Sequence, residues 1–332
     1  MFPYSIYATP IVRKIFRKLP FWKFSGSKED LDKVILEFLD AKSKEEIFAL
    51  SKRMDELHNS WNVHSLLIWD ERYPKILKEI YDPPLVLFVT GNPNLLQENW
   101  VAVVGTRKAS PLSLKATEYL VRNFIPKDCG IVSGLALGID RAAMIQSIEM
   151  GRLTLGVLGT SIEREYPFTN RSLYKKMKSS PNCILVSEYL PHTKYFKWTF
   201  PMRNRVITGI SEAVFLMEAP MRSGAISSAK SALQQNREIY VFNHKFQYDN
   251  SGGQSLIEEG ATLLRWEEIS PDTFVLHAIK DKVQMLKELK LLPSCSEASS
   301  ISEWEYRGAL MKLAEEGSLI PIGDELYCIF RR

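Results

Sequence analysis

The sequence is poor in features that would anchor a metal, a disulfide frame or a membrane span. Its four cysteines, Cys129, Cys183, Cys295 and Cys328, stand far apart with no CxxC pair. That spacing argues against a zinc site and predicts reduced thiols in a cytoplasmic protein. Histidines never fall at HxxxH spacing, and neither a metal nor a cofactor is expected. No apolar run nears the length of a membrane helix, and Leu85–Val89 is only strand-sized. The dinucleotide fingerprint GxGxxG and the phosphate loop GxxxxGK[ST] are both absent, which disfavours NAD and nucleoside triphosphates. A strong basic excess is also lacking. With 43 Lys and Arg against 39 Asp and Glu, the net charge is only +4, so any nucleic-acid contact must come from local charge placement.

With 332 residues, 45% of them hydrophobic, there is enough chain for one large domain and one or two small ones. The N-terminus carries Arg13, Lys14, Arg17, Lys18, Lys23 and Lys28 before its first acid, Glu29; a frayed, solvated segment or a short basic helix is expected, with an organellar presequence or a DNA-gripping arm as the alternative. Leu31, Ile35 and Leu39, then Ile47 and Leu50, repeat at helical spacing. Ser43 followed by Glu46 reads as a capping box for the second helix. This small helical unit ends near WNVHSLLIWD.

From about Leu85 the rhythm changes. LVLFVTG, WVAVVG, CGIVSG, TLGVLG, CILVSEY, AVFLMEA, EIYVFN and TLLRW are strand candidates, with amphipathic segments such as LKATEYLVRNF, DRAAMIQSIEM, RSLYKKMKS and SAKSALQQN between them. Continuous apolar strands alternating with helices predict an α/β domain: an extended Rossmann-like, doubly wound, mostly parallel sheet covered on both faces. The boundaries predicted are 1–63 for the helical unit, 64–270 for the Rossmann-like domain and 271–332 for a C-terminal winged-helix-like domain. Within this C-terminal domain, helical stretches at 275–289 and 303–317 precede a hairpin around Gly323 and Asp324.

Ligands of open α/β sheets lie beyond the carboxyl ends of the strands. Five such ends carry glycine, hydroxyl or arginine groups: Gly105-Thr106-Arg107, Ser133-Gly134 through Gly138, Gly159-Thr160 through Asn170-Arg171, Phe200 through Arg205, and Arg222-Ser223-Gly224. Backbone amides, a serine hydroxyl and an arginine at a helix N-terminus suit a phosphate. A row of such ends along one edge suits a polymer better than a mononucleotide. Asp140 is expected to cap the helix after Gly138. Glu188 and Glu218 are expected to hold Arg203, Arg205 or Arg222 in place. His192 and His244 have no nucleophile at a recognisable spacing, so no catalytic group is assigned. The stretch KYFKWTFPMRNRVITG alternates aromatic rings with cations, and Phe196, Trp198 and Phe200 are candidates for stacking on bases.

ERYPKILKEIYDPPLVLFVTGN, VAVVGTRKAS, GIVSGLALGIDRAA, GVLGTSIEREYPFTNRSL, FPMRNRVITGIS, MEAPMRSGAISSAKSALQQNREIYVF and LIEEGATLL follow one another in that order. Together they resemble the DNA-processing protein A (DprA/Smf) family over nearly all of 70–265. The resemblance implies a single-stranded DNA-binding recombination mediator of the bacterial cytoplasm. Such a protein acts as a homodimer that protects incoming strands during natural transformation and loads the RecA recombinase. It also implies phosphate contacts at Gly105, Thr106, Arg107, Ser133, Gly134, Gly138, Arg203, Asn204, Arg205, Arg222, Ser223 and Gly224. The chain departs from the family pattern where Leu137 replaces an arginine and Met144 a histidine, with Arg141 a nearby cation, and where Asn243-His244 replaces a proline-glycine after EIYVF. A rival reading is a nucleoside-monophosphate phosphoribohydrolase on the same fold, but MRSGAISSA lacks that group's second glycine and its helix glutamate. A third is a regulatory protein that has lost DNA binding.

Overall fold

The computed structural model describes residues 12, 28–46, 49, 63–191, 193–245, 247–269, 319–322 and 325–328. The basic segment before Lys28, apart from Val12, and both C-terminal helical stretches predicted above lie outside them. Helix α1 (Lys28–Phe38) puts Ile35 into the main core, joined by Leu39 and Val12. The next helical turn opens at Asp40, whose carboxylate accepts the Ser43 amide at 2.7 Å. Asp40 therefore caps it, and Ser43 occupies the third helical position instead of the cap.

The sheet is built from β1 (Val63–Leu67), β2 (Val86–Thr90), β3 (Trp100–Val104), β4 (Gly130–Ser133), β5 (Thr154–Leu158), β6 (Cys183–Ser187), β7 (Ala213–Leu216), β8 (Glu238–Phe242) and β9 (Thr262–Leu264). All eight strand candidates are strands; β1, inside WNVHSLLIWD, is an addition. Between them run α2 (Lys75–Lys78), α3 (Pro111–Tyr119), α4 (Ile139–Glu149), α5 (Arg171–Ser179), α6 (Thr199–Ile210), α7 (Gly224–Gln234), α8 (Ser251–Glu258) and α9 (Trp266–Ile269). Strand order is β1-β2-β6-β5-β4-β3-β7-β8-β9. The seven strands from β6 to β9 are parallel, while β2 pairs antiparallel with both β6 and β1.

The apolar strands explain the burial of both faces. Alternate side chains of a strand point to opposite sides. Trp100, Ala102 and Val104 of β3 accordingly enter one core cluster and Val101 and Val103 the other. β7 divides in the same way, Val214 and Leu216 from Phe215. Strands buried on both sides need helices on both sides, which the crossovers supply. β3 through β6 progress toward one end of the sheet, and β7 then returns to pair on the other side of β3. The crevice between β3 and β7 is therefore the topological switch point. Near the C-terminus β10 (Leu319–Ile322) and β11 (Glu325–Cys328) pair antiparallel with Ile322 opposite Glu325, in agreement with the predicted hairpin. Among the described residues no helix is long and apolar enough to cross a membrane.

Candidate nucleic-acid interface

Because β3 to β9 run parallel, their following loops share one edge, and the loops after β3 and β7 meet at the switch point. The Thr106 amide donates to the Glu218 carbonyl at 2.8 Å. The Glu218 carboxylate is fully buried and accepts from the Ser110 amide (2.9 Å), the Ser110 hydroxyl (2.7 Å) and the Asp249 amide (3.4 Å). Ser110 in turn caps α3 through the Ser113 amide. One carboxylate thus ties together the loops after β3, β7 and β8, whereas an arginine partner was expected for it. Ser110 and the Asp249 amide take that place because Glu218 closes β7 directly beside the start of α3.

This frame leaves the cations outside. Arg107 and Lys108 are exposed, with Gly105 and Thr106 half-buried behind them. Across the crevice Arg222 and Gly224 are exposed, and a Cβ added at Gly224 would meet open space. Ser223 caps α7 by accepting the Ile226 amide at 3.4 Å. The first amides of this 11-residue helix, with its partial positive charge, open beside Arg222.

The loop after β4 has a supporting role. The Ser133 hydroxyl is buried and donates to the Val103 carbonyl at 2.7 Å. The amides of Gly134 and Ala136 donate to the Asp140 carboxylate at 3.1 and 3.3 Å, so these two amides already hold an anion from the protein itself. Asp140 does not cap α4. Gly138 occupies the cap position, and Asp140 reaches back to the loop from the first turn. Burial pushes the Asp140 carboxyl up, while Arg203, the loop amides and Ser133 oppose that shift. Gly138 has φ 72°, and a Cβ there would strike the carbonyls of Thr106 and Arg107. The loop after β4 therefore lies directly under the loop that carries Arg107.

The FPMRNR residues lie deeper still. Arg203 is 5% exposed; its guanidinium donates to the Gly134 carbonyl at 2.9 Å and to the Val157 carbonyl. Burial pulls its pKa down against the attraction of Asp140. Asn204 donates to the Gly224 carbonyl at 3.1 Å, which fixes the first turn of α7. Arg205 pairs with Glu188 at 2.7 Å and Asp82 at 3.2 Å. Burial lowers its pKa, but the two carboxylates outweigh burial and the net direction is upward. The expectation that Glu188 holds an arginine is met by Arg205. These three residues brace the edge from beneath, while Arg107 and Arg222 face outward.

Phe196 and Trp198 are 53% and 59% exposed, with rings nearly parallel at 6° and centroids 5.9 Å apart. Lys194 and Lys197 beside them are exposed. Phe200 instead joins a half-buried cluster, 5.0 Å from Tyr166 and 5.9 Å from Tyr195. Of the departures from the family pattern, Met144 is fully buried in the main core and Leu137 half-buried.

Sequence reasoning placed Asn170 only at a helix start. Its side-chain amide donates to the carbonyls of Leu135 (2.8 Å) and Ala136 (3.1 Å) and links the loops after β4 and β5. The one available signal was a polar residue just before α5.

A doubly wound, mostly parallel sheet with cationic and glycine-bearing loops at its switch point, and no dinucleotide or triphosphate fingerprint, defines a Rossmann-like α/β protein. Residues 64–272 match the family model described as DNA recombination-mediator protein A, and the chain belongs to that family of recombination mediators. It is 35% identical to the DNA processing protein DprA of Bacillus subtilis over 65% of this chain and 73% of that protein. It is 37% identical to DprA of Streptococcus pneumoniae over 60% and 70% of the two chains. The solved structure of DprA from Streptococcus pneumoniae superposes with a TM-score of 0.65 at 31% identity, covering 79% of this chain and 93% of that one. A Helicobacter pylori DprA structure, described in terms of its single-stranded DNA-binding mode, gives 0.55 at 26% identity, over 70% and 97%.

Proposed function

We propose that this chain binds single-stranded DNA along the carboxyl edge of its parallel strands, with little base preference, and passes the strand to a RecA recombinase. The observation that carries the reading is the switch-point crevice. The loop with exposed Arg107 and Lys108 and the loop with exposed Arg222 that opens α7 meet there, tied together by Glu218. Phosphates sit at Gly105–Arg107 and Arg222–Gly224, supported by Ser133, Gly134, Gly138, Arg203, Asn204 and Arg205 underneath. Bases stack on Phe196 and Trp198, with Phe200 lining the base of that loop, each stack contributing ~1–3 kcal/mol. A homodimer in the cytoplasm fits this reading, because two weak edges on one strand gain by effective concentration.

We read the protein as a binding protein and not an enzyme. The first turn of α7, Gly224-Ala225-Ile226-Ser227, holds no carboxylate where the phosphoribohydrolase reading needs one. Arg107→Ala is expected to weaken binding to oligo-dT at least about five-fold, from the loss of one charge-assisted phosphate contact of at least ~1 kcal/mol. It should also make the salt slope shallower by about 0.7. Unchanged affinity and slope in a fluorescence-anisotropy titration would remove that pocket from the interface. A gel shift with single- and double-stranded oligonucleotides, with and without RecA, tests the mediator role. Release of adenine from AMP would favour the enzyme reading.

A further inference from the structure

The loop after β5, Gly159 to Asn170, presents a second set of rings and cations outside the pocket described above. Phe168 is 73% exposed, and the guanidinium of Arg171 lies 5.6 Å from its ring centroid. Arg164, also exposed, sits 5.3 Å from the centroid of Tyr195 in the neighbouring loop after β6. An exposed phenylalanine with one guanidinium against its ring contributes little to a core, but rings and arginines on one loop are what a flexible nucleic-acid strand requires. Glu165 reduces the charge, at 3.7 Å from Arg171 and 2.9 Å from Lys178. Arg164, Arg171 and Lys178 still outnumber Glu163 and Glu165.

The loop is held in shape before any ligand arrives. Tyr174 donates to the Tyr166 carbonyl at 2.8 Å and accepts the Tyr166 amide at 3.3 Å. The Thr160 hydroxyl donates to the Arg164 carbonyl at 3.0 Å, and Ser187 of β6 donates to the Thr160 carbonyl at 2.6 Å. Burial pushes the Tyr174 hydroxyl up to about 12, so it stays protonated as the donor of that contact. A surface ordered in advance gives up less conformational entropy on binding.

We propose that this loop is a second subsite for the same single strand: Phe168 stacks on a base, and Arg164 and Arg171 meet the flanking phosphates. The inference rests on the reading of this edge as the DNA surface. β5 stands three places from β7 in the sheet, ~14 Å at ~4.8 Å per strand. A strand running from the switch point to Phe168 therefore spans about four nucleotides at the ~3.4 Å rise of a stacked chain.

The test compares the full-length wild type with Arg107→Ala, Phe168→Ala, Phe168→Tyr and Arg171→Ala on a long oligo-dT, by anisotropy over a range of salt. Phe168→Ala is expected to weaken binding about five-fold or more with an unchanged salt slope. Phe168→Tyr should bind as wild type, and Arg171→Ala should make the slope shallower by about 0.7. If Phe168→Ala and Arg171→Ala bind as wild type while Arg107→Ala is weakened, the second subsite is overturned and the switch-point reading stands. A loss that Phe168→Tyr shares would trace to packing and overturn the stacking role. Should the wild type itself fail to bind, both readings fall.

Discussion

Arg203 and Arg222 are both arginines beside the same crevice, yet one is inside and the other outside. Arg203 donates to two carbonyls and is buried within the field of Asp140, itself buried. Removing it leaves the Gly134 and Val157 carbonyls without that donor and the buried Asp140 carboxyl without the nearby positive charge, and both losses are costly. Arg203→Ala is expected to lower unfolding free energy by about 3 kcal/mol or more. Arg222→Ala should leave the urea midpoint where it is and weaken oligo-dT binding. Equal midpoints for the two variants would show that Arg203 does not carry that buried network. Glu218 belongs with Arg203: an acid in the middle of a basic edge that serves it by holding three loops in register.

Helices and loops here are mutually dependent, and Gly138 is where that dependence is sharpest. Its backbone, at φ 72° and ψ −125°, lies in a region that only glycine enters readily, and a side chain costs about 1–3 kcal/mol from the backbone alone. The added Cβ would also push against the carbonyls of Thr106 and Arg107. Gly138→Ala is therefore expected to lower stability by at least that amount and to weaken DNA binding even where the protein remains folded, because the Arg107 loop must move. Binding at wild-type strength by the folded variant would separate the two loops. The glycine was visible in SGLALGID, but its reason was not. The sequence showed a residue suited to approaching an anion, while the structure shows one suited to approaching the loop next to it. Asp140 illustrates the same difference, since its first-turn position reads as a cap until Gly134 and Ala136 are seen to occupy it.

Across the whole edge, net charge is too small to drive DNA binding by itself, and a few aligned contacts must suffice. Three phosphates engaged on one protomer correspond to a slope of log K against log[salt] of about −2 for a single strand. A measured slope near zero would place the interface elsewhere. The alternation of apolar runs with amphipathic segments determined the eight strands, the mostly parallel sense of the sheet and the shared edge of the loops after β3 to β9, because burial of both sheet faces leaves few other arrangements; the antiparallel β2 left no such mark. The order of the motif blocks likewise determined the family. Tertiary structure alone decided which arginines face solvent, since a cation beside a glycine reads the same whether its partner is a phosphate or a carbonyl brought in from another strand. It also decided that Phe168 and Arg171 sit as a pair on that edge. The pairing itself is local, three residues apart, but its placing on that edge depends on bonds from Tyr174 and from Ser187 of β6 that hold the preceding loop, which no local pattern records.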